Sequence, residues 1–172
     1  MIASRYVVMG VSGAGKSAVG TLFAAALGVD FVEGDDFHPV ENRARMAAGI
    51  PLTDQDRVPW LATLAGRLAA AERLGVGLVV SCSALKRSYR DALRLGAGPV
   101  QFIHLRGPRS LLEQRLAGRT GHFMPRSLLD SQLDALVEPM DDEGAWVLDI
   151  HQPPEALVIA LLAHVASSPH DA

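Results

Sequence analysis

Short unbroken apolar runs alternate along the chain with longer stretches in which apolar residues recur every three or four positions. The first kind reads as strands buried on both faces, the second as amphipathic helices. On that basis strands are predicted over Arg5–Met9, Asp30–Glu33, Leu78–Ser81, Val100–Leu105 and Trp146–Ile150. A first helix is predicted over Lys16–Leu27, stopped by Gly28 in the left-handed cap position that glycine tolerates best. His38-Pro39-Val40 opens a short helix, with proline in its first turn and Gly49 past its end. A loop over Pro51–Val58 then feeds a long helix from Pro59 to Leu74, closed by Gly75, and a last helix starts near Pro154. Such alternation requires right-handed crossovers and a parallel sheet covered on both faces, so ligands gather at the carboxyl ends of the strands. The expectation is an α/β chain, a three-layer α/β/α fold on a five-stranded parallel sheet, with one domain over residues 1–166 and a disordered tail over 167–172.

Composition fits that picture. Hydrophobic residues make up 49% of the chain and aromatics only 5%, as suits aliphatic helices packed on a parallel sheet. A formal charge of -3 argues against the concentrated basic surface of a nucleic-acid or membrane-surface binder. The single cysteine, Cys82, cannot close an internal disulfide and reads as a small buried strand-end residue. No signal-peptide pattern precedes the first strand, and the apolar run Ala156–Ala163 is too short to cross a bilayer. A cytoplasmic protein is expected.

The chemistry begins directly after the first strand. Gly10-Val11-Ser12-Gly13-Ala14-Gly15-Lys16-Ser17 is a complete G-x-x-x-x-G-K-S phosphate loop. In such a loop backbone N–H groups turn toward nucleotide phosphates, the lysine reaches the β and γ phosphates, and the serine hydroxyl ligates Mg²⁺. ATP with Mg²⁺ is therefore the expected cofactor pair, with Ser17 as the protein's metal ligand. Asp35 and Asp36 follow the second strand on the same sheet edge. Asp35 is the candidate to orient an attacking hydroxyl and take its proton late; an Asx turn or helix N-cap is the competing reading. Arg115, Arg119, His122 and Arg126 stand among Gly118, Gly121 and Pro125, which reads as a mobile lid over about 115–132. Arg119 would be its catalytic cation and Arg115 a nucleotide contact, with a solvated basic turn as the alternative. A motor or switch NTPase would need an aspartate ending the third strand, which ends instead in Ser81.

Taken together, Gly10 to Ser17, Gly34-Asp35-Asp36-Phe37-His38-Pro39, Asn42 to Met46, Pro51-Leu52-Thr53-Asp54-Gln55-Asp56-Arg57-Val58-Pro59-Trp60, Cys82-Ser83-Ala84-Leu85-Lys86, Tyr89-Arg90-Asp91 and Gly121-His122-Phe123 resemble the gluconokinases. The resemblance spans Tyr6 to Pro154. It implies an adenylate-kinase- or shikimate-kinase-like P-loop fold, commonly homodimeric. It also implies ATP-dependent phosphorylation of D-gluconate at its 6-hydroxyl, feeding the pentose phosphate or Entner–Doudoroff route. A sugar acid calls for a fixed cation and polar side chains rather than an apolar slot. Arg57 and Lys86 are candidate carboxylate clamps, and His38, Arg45, Arg90, His122 and Gln132 candidate hydroxyl or anion contacts. Arg45 and Thr120 stand where the family pattern has lysine.

Overall fold

The computed structural model describes residues 4–119 and 125–168. Strands β1 (Arg5–Met9), β2 (Asp30–Glu33), β3 (Leu78–Ser81), β4 (Val100–Arg106) and β5 (Trp146–Asp149) form one parallel sheet in the order β2-β3-β1-β4-β5. The helices among the described residues are α1 (Lys16–Leu27), α2 (Val40–Ala47), α3 (Asp54–Leu74), α4 (Arg87–Arg94), α5 (Arg109–Ala117), α6 (Arg126–Ala135) and α7 (Pro154–Ser167). The chain leaves β1 toward the β2 edge and then steps back across the sheet. The right-handed crossover rule therefore places α1 on one face and α3 and α4 on the other. Their contacts agree: α1 packs on β2, β3 and α7, while α3 packs on β1, β3 and α4.

Central β1 explains the unbroken apolar runs. Val7, Val8 and Met9 are fully buried, as are Val79 and Val80 of β3 and Phe102 and Ile103 of β4. With helices over both faces the middle of each of these strands is shut off from water, and alternation gives way to a continuous hydrophobic run. Phe23 of α1 and Leu64 and Leu68 of α3 close the two halves of the core.

One helix boundary differs from the sequence expectation. The long helix begins at Asp54, not Pro59, and Pro59 lies inside it. Thr53 caps it: its hydroxyl accepts from the Asp56 N–H at 3.1 Å, and the Asp56 carboxylate accepts from the Thr53 N–H at 2.8 Å. This reciprocal capping box supplies a start signal stronger than the proline, whose ring costs one early helical bond. At the other end Ser167, where a disordered tail was expected to begin, still closes α7, and the Ser168 N–H donates to the His164 carbonyl at 2.9 Å. Residues 169–172 lie outside the described set.

The connection leaving β1 runs toward the β2 edge, whereas those leaving its neighbours β3 and β4 run toward the β5 edge. A crevice at the carboxyl end of the sheet is the geometric result. The phosphate loop, the turn after β2 and the segment after β3 all open into that region.

Candidate active site

The loop Gly10–Gly15 delivers the chain from β1 to the N-terminus of α1. Gly15 holds φ 94° there, a left-handed backbone that side-chain-bearing residues rarely adopt, and no side chain caps the helix. Its first N–H groups are thus left for an anion. Lys16 donates from Nζ to the Val11 carbonyl at 3.1 Å, folded back over its own loop. Burial lowers its pKa, opposed chiefly by the Asp35 charge.

Lys16, Ser17, Glu33, Asp35, Arg43 and Arg119 share a cleft of about 580 Å³ with the loop itself. Asp35 faces its open side, yet enough protein surrounds the carboxyl for desolvation to raise its pKa against the pull of Lys16. A carboxylate with raised affinity for a proton, beside a phosphate-binding lysine, is suited to receive one from an attacking hydroxyl. Asp35, expected on the sheet edge that holds the phosphate loop, lines the same cleft as Lys16.

Glu33 and Arg43 were not foreseen. Glu33 ends β2 opposite Ser81 of β3 in the sheet register. Its carboxylate accepts from the Ser17 hydroxyl and, at 2.5 Å, from the Ser81 hydroxyl. Ser81 in turn accepts from the Gly34 N–H at 3.1 Å. A Cβ at Gly34 would come within 1.9 Å of the Ser81 carbonyl oxygen, so only glycine lets β2 leave the sheet along this path. Glu33 lies two residues before Asp35, at the same strand end, but its pairing with Ser81 shows only in the sheet register. Hydroxyl and carboxylate oxygens around Ser17 are the hard donors that suit Mg²⁺ carried in on phosphate oxygens and water.

Two further predicted residues adjoin the loop. Gln132 of α6 accepts through Oε1 from the Ser12 N–H at 2.7 Å, and Arg115 of α5 donates to the Ile150 carbonyl while approaching Gly15. His122 lies outside the described residues.

A second polar cluster joins α3 to α4. Lys86 Nζ donates to both oxygens of Asp54, at 2.8 and 3.1 Å, and Tyr89 donates its hydroxyl proton to the same carboxylate. Arg57 donates to the Leu52 carbonyl at 2.5 Å, with its guanidinium 5.4 Å from the Tyr89 ring centroid. His38 is buried and stacked on Trp60 at 4.0 Å between ring centroids. Burial, with Arg57 and Arg43 nearby, pushes its pKa down to about 4, so it is neutral at neutral pH.

Two of the expected ligands, Arg90 and Arg45, have carboxylate partners within the protein. Arg90 is fully buried. It grips Glu143 through Nε at 2.6 Å and Nη2 at 2.8 Å, while Nη1 donates to the carbonyls of Ala84 at 2.9 Å and Val137 at 3.0 Å. With all three nitrogens engaged, the guanidinium braces the fold instead of facing the cleft. Arg45 is exposed on α2, 3.8 Å from Asp56, while Arg43 of that helix lines the cleft. Cys82 is buried and its thiol pushed up to about 12 by desolvation, which makes it inert.

Residues 6–139 match the family model described as an AAA domain. The gluconokinase of Gluconobacter oxydans (strain 621H) is 47% identical over 158 residues, covering 92% of this chain and 89% of that protein. The thermoresistant gluconokinase of Escherichia coli (strain K12) is 44% identical, covering 91% and 90%. The chain belongs to the gluconokinase family. A crystal structure of a gluconokinase from Sinorhizobium meliloti 1021, 50% identical, superposes with a TM-score of 0.87 over 96% of this chain and 93% of that one. Family membership accounts for the chain-wide order of motifs around the P-loop, from the turn after β2 to the Lys86 segment.

Proposed function

We propose that this chain transfers the γ-phosphoryl group of ATP to the 6-hydroxyl of D-gluconate, giving 6-phospho-D-gluconate and ADP. The observation that carries the reading is the shared cleft of Lys16, Ser17 and Asp35, in a chain whose relatives of matching length are gluconokinases. In the reaction the gluconate O6–H proton passes to the Asp35 carboxylate as O6 bonds to the γ phosphorus. The bond from that phosphorus to the β,γ-bridging oxygen breaks, and ADP departs. Little covalent chemistry falls to the protein; alignment and charge stabilisation dominate. Loop amides and Lys16 fix the phosphates, and Ser17 would hold Mg²⁺, which neutralises charge on the phosphate oxygens when bound. Arg119 at the cleft and Arg115 beside Gly15 favour the 115–132 segment as a lid whose closure adds positive charge and excludes water.

Arg57 and Lys86 are the proposed carboxylate clamp, with Asp54 the internal partner that a sugar acid would displace. His38, held neutral, suits a sugar hydroxyl better than an anion. A homodimer working in the cytoplasm completes the proposal, in keeping with the lone inert thiol of Cys82 and with a described chain in which no helix is long and apolar enough to cross a membrane. A coupled assay of ADP release tests the whole reading. Gluconate with Mg-ATP should sustain turnover that Lys16→Ala abolishes, whereas shikimate, AMP or no acceptor should give little. Equal rates with and without gluconate would refute it.

A further inference from the structure

Switch and motor NTPases hold their metal's water shell with an aspartate at the end of the buried strand beside the P-loop strand. Here that strand is β3, paired directly with β1, and its last residue is Ser81. The structure supplies a carboxylate from one strand further out. Glu33 of β2 reaches Ser81 through one oxygen and the P-loop Ser17 through the other, and it lines the phosphate cleft.

We propose that Glu33 is the residue that positions the nucleotide's hydrated magnesium, acting from β2 through Ser17 and Ser81 in place of an acid on β3. The inference rests on the reading of the cleft as an Mg-ATP site. Two features of the hydrogen bonding give Glu33 this capacity. Ser17 spends its only proton on Glu33, so both lone pairs of its oxygen are free to face a cation, and the partnered carboxylate makes that oxygen a better donor. Ser81 meanwhile is held by the Gly34 N–H at 3.1 Å, which leaves its proton for Glu33 and pins the carboxylate against rotation. A carboxylate fixed in this way, with each oxygen keeping unused lone pairs, can accept from the water ligands that Mg²⁺ retains when most of its other ligands are phosphate oxygens. Asp35, two residues on, stays free for the acceptor alcohol. A division of labour between the two acids follows from the β2 turn, since Gly34 between them cannot accommodate a side chain.

The test is calorimetric titration with a non-hydrolysable ATP analogue, in excess Mg²⁺ and in EDTA, on the full chain. Magnesium should tighten binding to the wild type. Glu33→Gln should lose about 10- to 100-fold of that metal-dependent gain, the usual cost of removing an outer-shell partner, with affinity in EDTA unchanged. Bound Mn²⁺, followed by its electron paramagnetic resonance in the presence of the analogue, should weaken in parallel. A metal-dependent gain equal in both proteins would overturn the proposal. So would a loss of equal size in EDTA and in Mg²⁺, which marks a packing defect, or a wild type indifferent to the metal. If Glu33→Gln does not fold, Glu33→Asp carries the test: the charge is kept but drawn back by one methylene. The Mg²⁺ concentration for half-maximal tightening should then rise several-fold with EDTA affinity intact, and no change would overturn the proposal. Because no gluconate is present, failure here is distinct from failure of the acceptor assignment, which turnover assays decide.

Discussion

Asp35 carries the heaviest chemical role assigned to any single side chain here. Its pKa is raised because burial outweighs the attraction of Lys16, with Glu33 adding repulsion. A base must be ionised to accept a proton, so turnover is expected to fall on the acid side at a pH above the ordinary aspartate value of 3.8. Asp35→Asn removes the acceptor but keeps shape and leaves the phosphate loop untouched. The expected result is a kcat lower by about 10²- to 10⁴-fold, with nucleotide affinity in the wild-type range. Steady-state kinetics across pH together with nucleotide titration check both parts, and a near-normal kcat would remove Asp35 from the role. This side chain could be nominated from sequence because it follows a strand that ends on the same edge as the phosphate loop. Glu33 was overlooked although it ends that very strand: its value comes from Ser81, a partner 48 positions away in sequence, and only the sheet register reveals it.

Elements with strong local punctuation were legible in the sequence. The expected spans of β1, α1, β2 and β3 coincide with those observed, because αL glycines, the phosphate loop and short apolar runs mark both of their ends. α3 was misjudged at its start since proline at a first turn and proline inside a helix look alike until the cap is identified. Thr53 and Asp56 are that cap. The consequence reaches the site, for the extra helical turns carry Asp54 and Arg57, the partners of Lys86 and Tyr89. Asn42 of α2 also fastens here, donating through Nδ2 to the Asp56 carbonyl at 2.7 Å. Thr53→Ala should therefore cost about 1 kcal/mol in urea unfolding, and it should raise KM for gluconate more than KM for ATP. An equal change in both constants would mean that the start of α3 is only scaffold.

At the scale of the whole molecule, the pair of Arg90 and Glu143 ties the β3–β4 crossover to the chain entering β5. The two side chains are 0% and 2% exposed, and Arg90 also holds the carbonyl of Ala84, a non-glycine residue at φ 46°. That strained backbone lies in the Cys82–Lys86 segment beside the site, so the clamp stabilises an otherwise unfavourable turn at the sheet's carboxyl edge. Arg90 was expected as a substrate contact; the partner it grips, Glu143, stands 53 residues away, and nothing local distinguishes a bracing arginine from a binding one. The clamp has a pH signature. The Arg90 hydrogen bonds hold the Glu143 pKa at about 2, against its ordinary 4.5. A folded-state pKa below the unfolded one means that the stabilisation is fully present above pH 4.5 and is lost as pH falls toward 2. Its size is roughly 3 kcal/mol, at about 1.4 kcal/mol per pKa unit. Glu143→Gln removes the charge at every pH and leaves Arg90 buried without its counterion, a loss of roughly 3–5 kcal/mol near neutrality. The stability gap between wild type and variant, read from urea unfolding, should be widest at pH 7 and should narrow steadily below pH 4.5 as acid weakens the wild-type pair. A gap as wide at pH 3 as at pH 7 would show that packing around Arg90, and not the ion pair, holds this edge of the sheet together.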